Sequence, residues 1–172
     1  RARDEGEYQE LLSEPIVNLI LNFLKLSVNR KSPDEWINLE TEYIAIMGET
    51  DENQDDLYRD CIDKLDCKLK EINKYLKLPL DINKFNYMID NIIDFFNIDR
   101  IKARYITYKQ GDYFNETITK FKDLFWKEYK YAELNMIKAI EGFRGLYSIP
   151  IMTIHKSKGL EYSAVYFIGL ED

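Results

Sequence analysis

The chain has 172 residues, 45% of them hydrophobic, and a formal net charge of −7. That length can bury a core in one domain or a domain with an insertion, while the negative charge works against indiscriminate polyanion binding, so any nucleic-acid contact must be local. The apolar stretch from Ile16 to Leu26 is interrupted by Asn18, Asn22 and Lys25 and falls short of the roughly 20 apolar residues of a membrane span, so no transmembrane helix is expected.

The opening "RARDEGEYQE" has neither an initiator methionine nor the basic-then-apolar order of a secretory signal. This reads as a cytoplasmic protein or, preferably, an excised piece of one. Glu14 to Leu26 then reads as a helix, with Pro15 in its first turn and apolar residues almost all round. Only Asn18, Asn22 and Lys25 form a polar stripe, and so narrow a wet face points to further partners covering it. In "SVNRKSPDEW" the pattern breaks. Ser32 is placed as an N-cap, Pro33 as the first helical residue and Glu35 as a capping-box acid of another helix.

From Asp55 to Leu78 the positions Tyr58, Cys61, Ile62, Leu65, Leu69, Ile72 and Leu76 recur at three- and four-residue steps, predicting one long amphipathic helix that ends before Pro79. Asp81 caps a further helix carrying Phe85, Met88, Ile89, Ile92, Ile93 and Phe96, followed by a turn at "NIDR". After a break at "QGDYFNET", residues 114 to about 143 supply one or two more helices. Cys61 and Cys67 are six apart in a helical segment and the only histidine, His155, is distant, so no zinc-like ligand set assembles; a reduced, buried pair is the plain expectation. Two basic stretches with interleaved aromatics, Arg100 to Lys109 and Lys120 to Tyr131, read first as solvated cationic faces beside core-facing rings, with nucleic-acid contact as the other reading.

Gly142 and Gly145 punctuate the chain, and "YSIPIMTIH" then has apolar residues on both faces of an extended segment, the pattern of a strand covered on both sides. "SAVYFIGL" repeats it. Two such strands without a hairpin signal suit neighbours in a parallel or mixed sheet that needs more strands. Between them lie Thr153, His155, Lys156, Ser157, Lys158, Gly159, Leu160, Glu161 and Tyr162. A hydroxyl, an imidazole and two ammonium groups within six residues form a credible phosphate-contacting set at the carboxyl end of a strand. Gly159 allows close backbone approach, whereas Glu161 suits a lysine partner or sugar hydroxyls. No G-x-x-x-x-G-K-[ST] occurs, and neither a hydrolase nor a metalloprotease motif is present. Spacing alone leaves open anionic-ligand contact and a solvated loop.

"TIHKSKGLEY", with the apolar run and "GLED" behind it, resembles motif V of the UvrD/Rep family of superfamily-one DNA helicases; "HKSKGLEY" looks most like the RecB and AddA branch. "ELLSEPIVNLILNFLKL" is similar to the helix following motif IV. The resemblance implies a segment of a larger helicase: residues 1–27 as part of the second RecA-like domain (2A), 28–146 as a helical 2B-like insertion, and 147–172 as the return to 2A. The fold class it implies is mainly α, with a small two-strand remnant of a RecA-like α/β domain at the C-terminus. It also implies that Glu161 hydrogen-bonds the ribose of ATP, that Gly159 lies near the nucleotide phosphates, and that Thr153 and His155 contact the DNA backbone. Lys158 is counted with the DNA contacts, a structural role standing beside it. The implied cofactors are ATP and magnesium in the parent enzyme and none in this chain, which has no catalytic residue or metal site of its own. The implied partners are single-stranded DNA, the duplex junction and the remaining helicase domains, with no membrane. A non-catalytic helical interaction module is the alternative.

Overall fold

In the computed structural model, which describes residues 2–47, 54–155, 157–159, 161 and 163–166, the chain leaves a short strand, β1 (Ala2–Asp4), for a series of helices, and returns to a strand, β2 (Ile149–Ile151). Among the described residues the helices are α1 (Glu5–Leu12), α2 (Pro15–Val28), α3 (Pro33–Met47), α4 (Gln54–Leu76), α5 (Ile82–Phe96), α6 (Ile98–Arg104), α7 (Tyr113–Tyr131) and α8 (Met136–Phe143), with a 3-10 turn at Ile106–Lys109. The fold is mainly α, as the apolar periodicities predict.

Helix α2 is the axis of the core. Pro15 fixes the backbone where an amide hydrogen would have no partner, and Ile16, Val17, Ile20, Leu21, Phe23, Leu24 and Leu26 are wholly buried. At about 1.5–3 kcal/mol for each large apolar side chain removed from water, this one helix supplies much of the hydrophobic stabilisation. The covering that so narrow a wet face calls for comes at least in part from within the chain: α1, α3, α4, α5 and α8 all pack on it. Its polar stripe is likewise used within the chain. Asn18 donates to the Leu12 carbonyl at 2.7 Å, Asn22 accepts from Arg144 at 2.7 Å, and Lys25 pairs with Glu35. Glu35, read as a capping-box acid, therefore spends its Oε1 on Lys25 and Arg144.

The remaining helices close the core with rings. Tyr43 stacks on Phe95 at 5.2 Å, Phe23 meets Phe96 edge-on at 5.6 Å, and Phe85 lies parallel to Phe125 at 5.8 Å. Asp81 caps α5 as predicted, its Oδ1 accepting from the Lys84 amide at 2.8 Å. The turn expected at "NIDR" shrinks to one residue. Asn97 takes φ 65°, ends α5 and caps α6 by accepting from the Arg100 amide. The cysteine expectation is half right: Cys61 is buried and Cys67 exposed, both as free thiols. No described helix is by itself long and apolar enough to cross a membrane; α1 and α2 pass such a test only as a pair bent by 86°.

The two basic stretches follow their plainer reading. On α7, Phe121, Phe125 and Tyr129 are buried while Lys120, Lys127 and Lys130 face outward. In the earlier stretch, Arg100 donates to the Met47 carbonyl, Arg104 pairs with Glu42 at 3.2 Å and Lys102 lies over the Phe114 ring.

The sheet differs in detail from the sequence reading. β2 pairs in parallel with β1, in the register Ala2 to Ile149, Arg3 to Pro150 and Asp4 to Ile151. The anticipated neighbour at "SAVYFIGL" is not a strand over Ser163–Tyr166, and Phe167 to Leu170 lie outside the described residues. Nor is β2 covered on both sides. Ile149, Ile151 and Ile154 are exposed, because β1 pairs only the edge of β2 and no described layer lies over these side chains.

Candidate nucleic-acid and nucleotide interface

The loop behind β2 is aimed by the way α8 ends. Gly145 takes φ 95°, its amide donates to the Gly142 carbonyl at 3.0 Å, and the Leu146 amide reaches the Glu141 carbonyl at 2.9 Å. This pair of bonds is a Schellman stop, which needs a left-handed residue at its centre and turns the chain sharply out of the helix. Gly145 has a second reason to lack a side chain: a Cβ there would stand 2.9 Å from Nη2 of Arg3. The glycine punctuation read from the sequence is therefore a helix stop packed against strand β1.

Arg3 is buried although arginine is a residue type that mostly stays exposed. Its Nη1 donates to the carbonyls of Gly142 and Phe143 at 2.7 and 2.9 Å, and its Nε and Nη2 grip Glu5 at 2.8 and 2.7 Å. The guanidinium carbon lies 4.1 Å above the Tyr8 ring. Tyr8 donates to Glu128 Oε1 at 2.6 Å, and the Glu128 carboxylate closes on the other side of Gly142, 3.0 Å from where a Cβ would stand. A cation thus satisfies the carbonyls at the negative end of α8 while its charge is neutralised by a two-point carboxylate. On the opposite flank Arg144 reaches Asn22 and Glu35, tying the same junction to α2 and α3.

Past β2 the chain folds into a hydrogen-bonded turn. The Ser157 amide donates to the Thr153 carbonyl at 3.1 Å, and its hydroxyl to the Ile154 carbonyl at 2.9 Å. Of the residues singled out in the sequence, Thr153, His155, Lys158, Gly159 and Glu161 are all exposed; Lys156, Leu160 and Tyr162 lie outside the described residues. Gly159 has φ 87°, and among the described residues nothing stands within 4 Å of where a Cβ would lie, so none of them blocks a ligand's approach to its backbone. Thr153 and Ser157 are brought into one turn; His155 and Lys158 sit within and just beyond it. Grooves found elsewhere, one of about 470 Å³ between α1 and α7 and one of about 630 Å³ along α2 and α3, are lined by none of these residues. These two grooves and the described residues of the chemistry-bearing loop are therefore separate.

The donor set fits one edge of a nucleotide. An exposed carboxylate at Glu161 suits ribose hydroxyls, and the open Gly159 backbone suits an approaching phosphate. It does not fit a magnesium ion, since among the described residues no three His, Cys, Asp or Glu side chains stand together. Comparison with curated proteins and with solved structures gives no match. A family model described as the UvrD-like helicase C-terminal domain matches residues 7–172, from α1 through the loop, and the chain belongs to that family.

Proposed function

We propose that this chain is a segment of a larger ATP-dependent DNA helicase, in which it couples ATP binding and hydrolysis to translocation on single-stranded DNA and to duplex unwinding. The observation that carries the reading is the exposure of Thr153, His155, Lys158, Gly159 and Glu161 beyond the carboxyl end of a parallel strand in a member of a helicase family. Thr153, His155 and Lys158 supply a hydroxyl, an imidazole and an ammonium group to the phosphates of the strand. Glu161 accepts hydrogen bonds from the ribose of the nucleotide, and Gly159 lets the nucleotide phosphates approach the backbone. Because both sets lie on one short segment, a shift of the loop on nucleotide binding moves the DNA contacts with it.

In this reading residues 1–27 and 147–172 belong to the second RecA-like domain and 28–146 form the 2B-like insertion, which faces the duplex junction. The pairing of β1 with β2 supports that division, since the two ends of the chain share one sheet. ATP and magnesium are the cofactors of the whole enzyme. ATP with its metal supplies the phosphoryl-transfer energy, and this chain's part is to orient the sugar and backbone edges. The remaining helicase domains are its partners, in the cytoplasm.

A helical interaction module without catalysis is the competing reading, favoured by the net charge of −7. The flanking gene sequence separates the two: Walker A and DExx motifs upstream with a Q-x-x-R motif downstream decide for the helicase, and their absence decides for the module. In the whole gene product, Glu161→Gln should lower the DNA-stimulated ATPase and the unwinding rate while the fold stays intact. Unchanged rates would remove the role given to Glu161.

A further inference from the structure

The buried cluster at the base of the loop is not accounted for by nucleotide or DNA contact. The Arg3 side chain touches three parts of the junction: Glu5 just beyond its own strand, the last carbonyls of α8, and the Gly145 turn that leads to β2. Its backbone also stands opposite Pro150 in the parallel ladder. With three residues in each strand, so short a pairing is weak by itself. The side-chain clamp reinforces this short backbone ladder.

We propose that Arg3 is a positioning residue for the loop Thr153–Gly159: by fastening the C-terminal end of α8 to strand β1, its guanidinium holds the exit turn, and hence β2 and the loop behind it, in one orientation. The geometry is independent of any ligand; its value for phosphate contact rests on the reading proposed above. Glu5 sets the plane of the guanidinium by gripping it at two points, and Tyr8 supports its face while anchoring to Glu128 on α7. A rotation of the helical body relative to β1 would therefore be felt at Gly142 and Phe143 first and passed into the loop through the backbone of residues 144–152.

Amide hydrogen exchange on the 172-residue chain tests this. Arg3→Ala should speed exchange at Gly145, Leu146, Ser148 and Ser157 by about tenfold or more, with the amides of α5 changing less than about twofold, because the opening is local. Millimolar methylguanidinium, which fits the vacated space between Glu5 and the α8 carbonyls, should restore the protection. It should do nothing for Arg30→Ala, which removes an exposed guanidinium paired with Asp66. If Arg3→Ala does not fold, Arg3→Lys carries the same comparison, keeping the charge and losing the two-point grip. Junction amides that exchange as in the parent chain, or a rise spread evenly over all helices, would overturn the proposal, as would methylguanidinium failing to restore protection. None of these readouts uses DNA, so a failure here leaves the DNA-contact reading standing, and a failure of DNA binding leaves this one standing.

Discussion

Tyr8 on α1 donates to Glu128 on α7 at 2.6 Å across 120 residues of sequence, in a buried setting. Glu128 is the charged member of the buried set on α7, beside rings, Ile118 and Thr117, and a buried carboxylate is stabilising only while its hydrogen bonds are made. Tyr8→Phe keeps the ring beneath Arg3 and its edge-on contact with Phe143 but removes the hydroxyl. Urea denaturation should show a loss of about 1.5–3 kcal/mol, the range for hydrogen bonds to charged groups. A loss within about 0.5 kcal/mol, the size of a neutral surface change, would mean that the bond is not formed in solution.

Two glycines with positive φ separate backbone strain from crowding. Gly145→Ala forces both a left-handed backbone onto alanine and a Cβ against Arg3 Nη2, whereas Gly159→Ala forces the backbone alone, its Cβ meeting none of the described residues within 4 Å. The first should cost more than about 1 kcal/mol and the second about that or less, confined to the loop. Thermal melts of the two variants give the order, and combining Gly145→Ala with Arg3→Ala should cost less than the sum of the two changes, because they share one contact.

Much of the helical body was legible in the sequence, because amphipathic steps report burial directly. Asp55 to Leu78 matches α4 to within two residues at its C-terminal end, and Asp81 caps α5 as its type requires. The sheet was less legible for a physical reason. Ala2–Asp4 is a three-residue strand of small and charged types with no alternation to read, and a buried arginine contradicts what its residue type predicts. The signal available for the cluster was the closeness of Arg3, Glu5 and Tyr8, which marks a cation with an anion and a ring nearby but not the distant α8 carbonyls that complete it. Asn97 shows the same limit on a smaller scale, since one left-handed residue does the work of the four-residue turn expected there. For the loop, composition and spacing allowed either anion contact or a solvated turn, and the wording "TIHKSKGLEY" carried the rest through family resemblance.

Stability should fall at both ends of the pH range, through different groups. Burial alone would raise the Glu35 carboxyl, but the hydrogen bonds from Lys25 and Arg144 outweigh it and hold Glu35 below its ordinary 4.5. A carboxyl lowered on folding stabilises above its unfolded value and loses that contribution as pH falls through the lowered one. Glu35→Gln should therefore flatten the acid limb of a midpoint-against-pH curve begun near pH 5. Tyr43 is the alkaline counterpart, its phenol pushed up to about 12 by burial, with the neighbouring Cys61 and Asp60 adding to the shift. Its contribution is complete below the unfolded value of 10.0 and is lost as pH rises towards 12. Tyr43→Phe should flatten that limb, and unchanged limbs in either variant would show that other groups govern the titration.

Nucleotide turnover by this chain should remain at background with magnesium present. Phosphoryl transfer needs a phosphate-gripping lysine, a held metal ion and a charge-stabilising arginine together, and the sequence contains no G-x-x-x-x-G-K-[ST] segment. Measurable magnesium-dependent turnover by homogeneous protein, co-purifying with it through two columns, would contradict the assignment of catalysis to other parts of the enzyme.

The most direct measurement is fluorescence anisotropy of a labelled single-stranded oligonucleotide titrated with the chain at a series of salt concentrations. Few phosphates can be neutralised by one loop on an acidic protein, so binding should be weak, detectable at low salt and lost as salt rises. Lys158→Ala should weaken it and flatten the salt dependence by about one phosphate contact, His155→Ala should weaken it as well, and melting curves of both variants should overlay that of the parent chain because both side chains are exposed. Binding that is tight and indifferent to salt, or that survives both substitutions unchanged, would contradict the placement of the DNA contact in this loop.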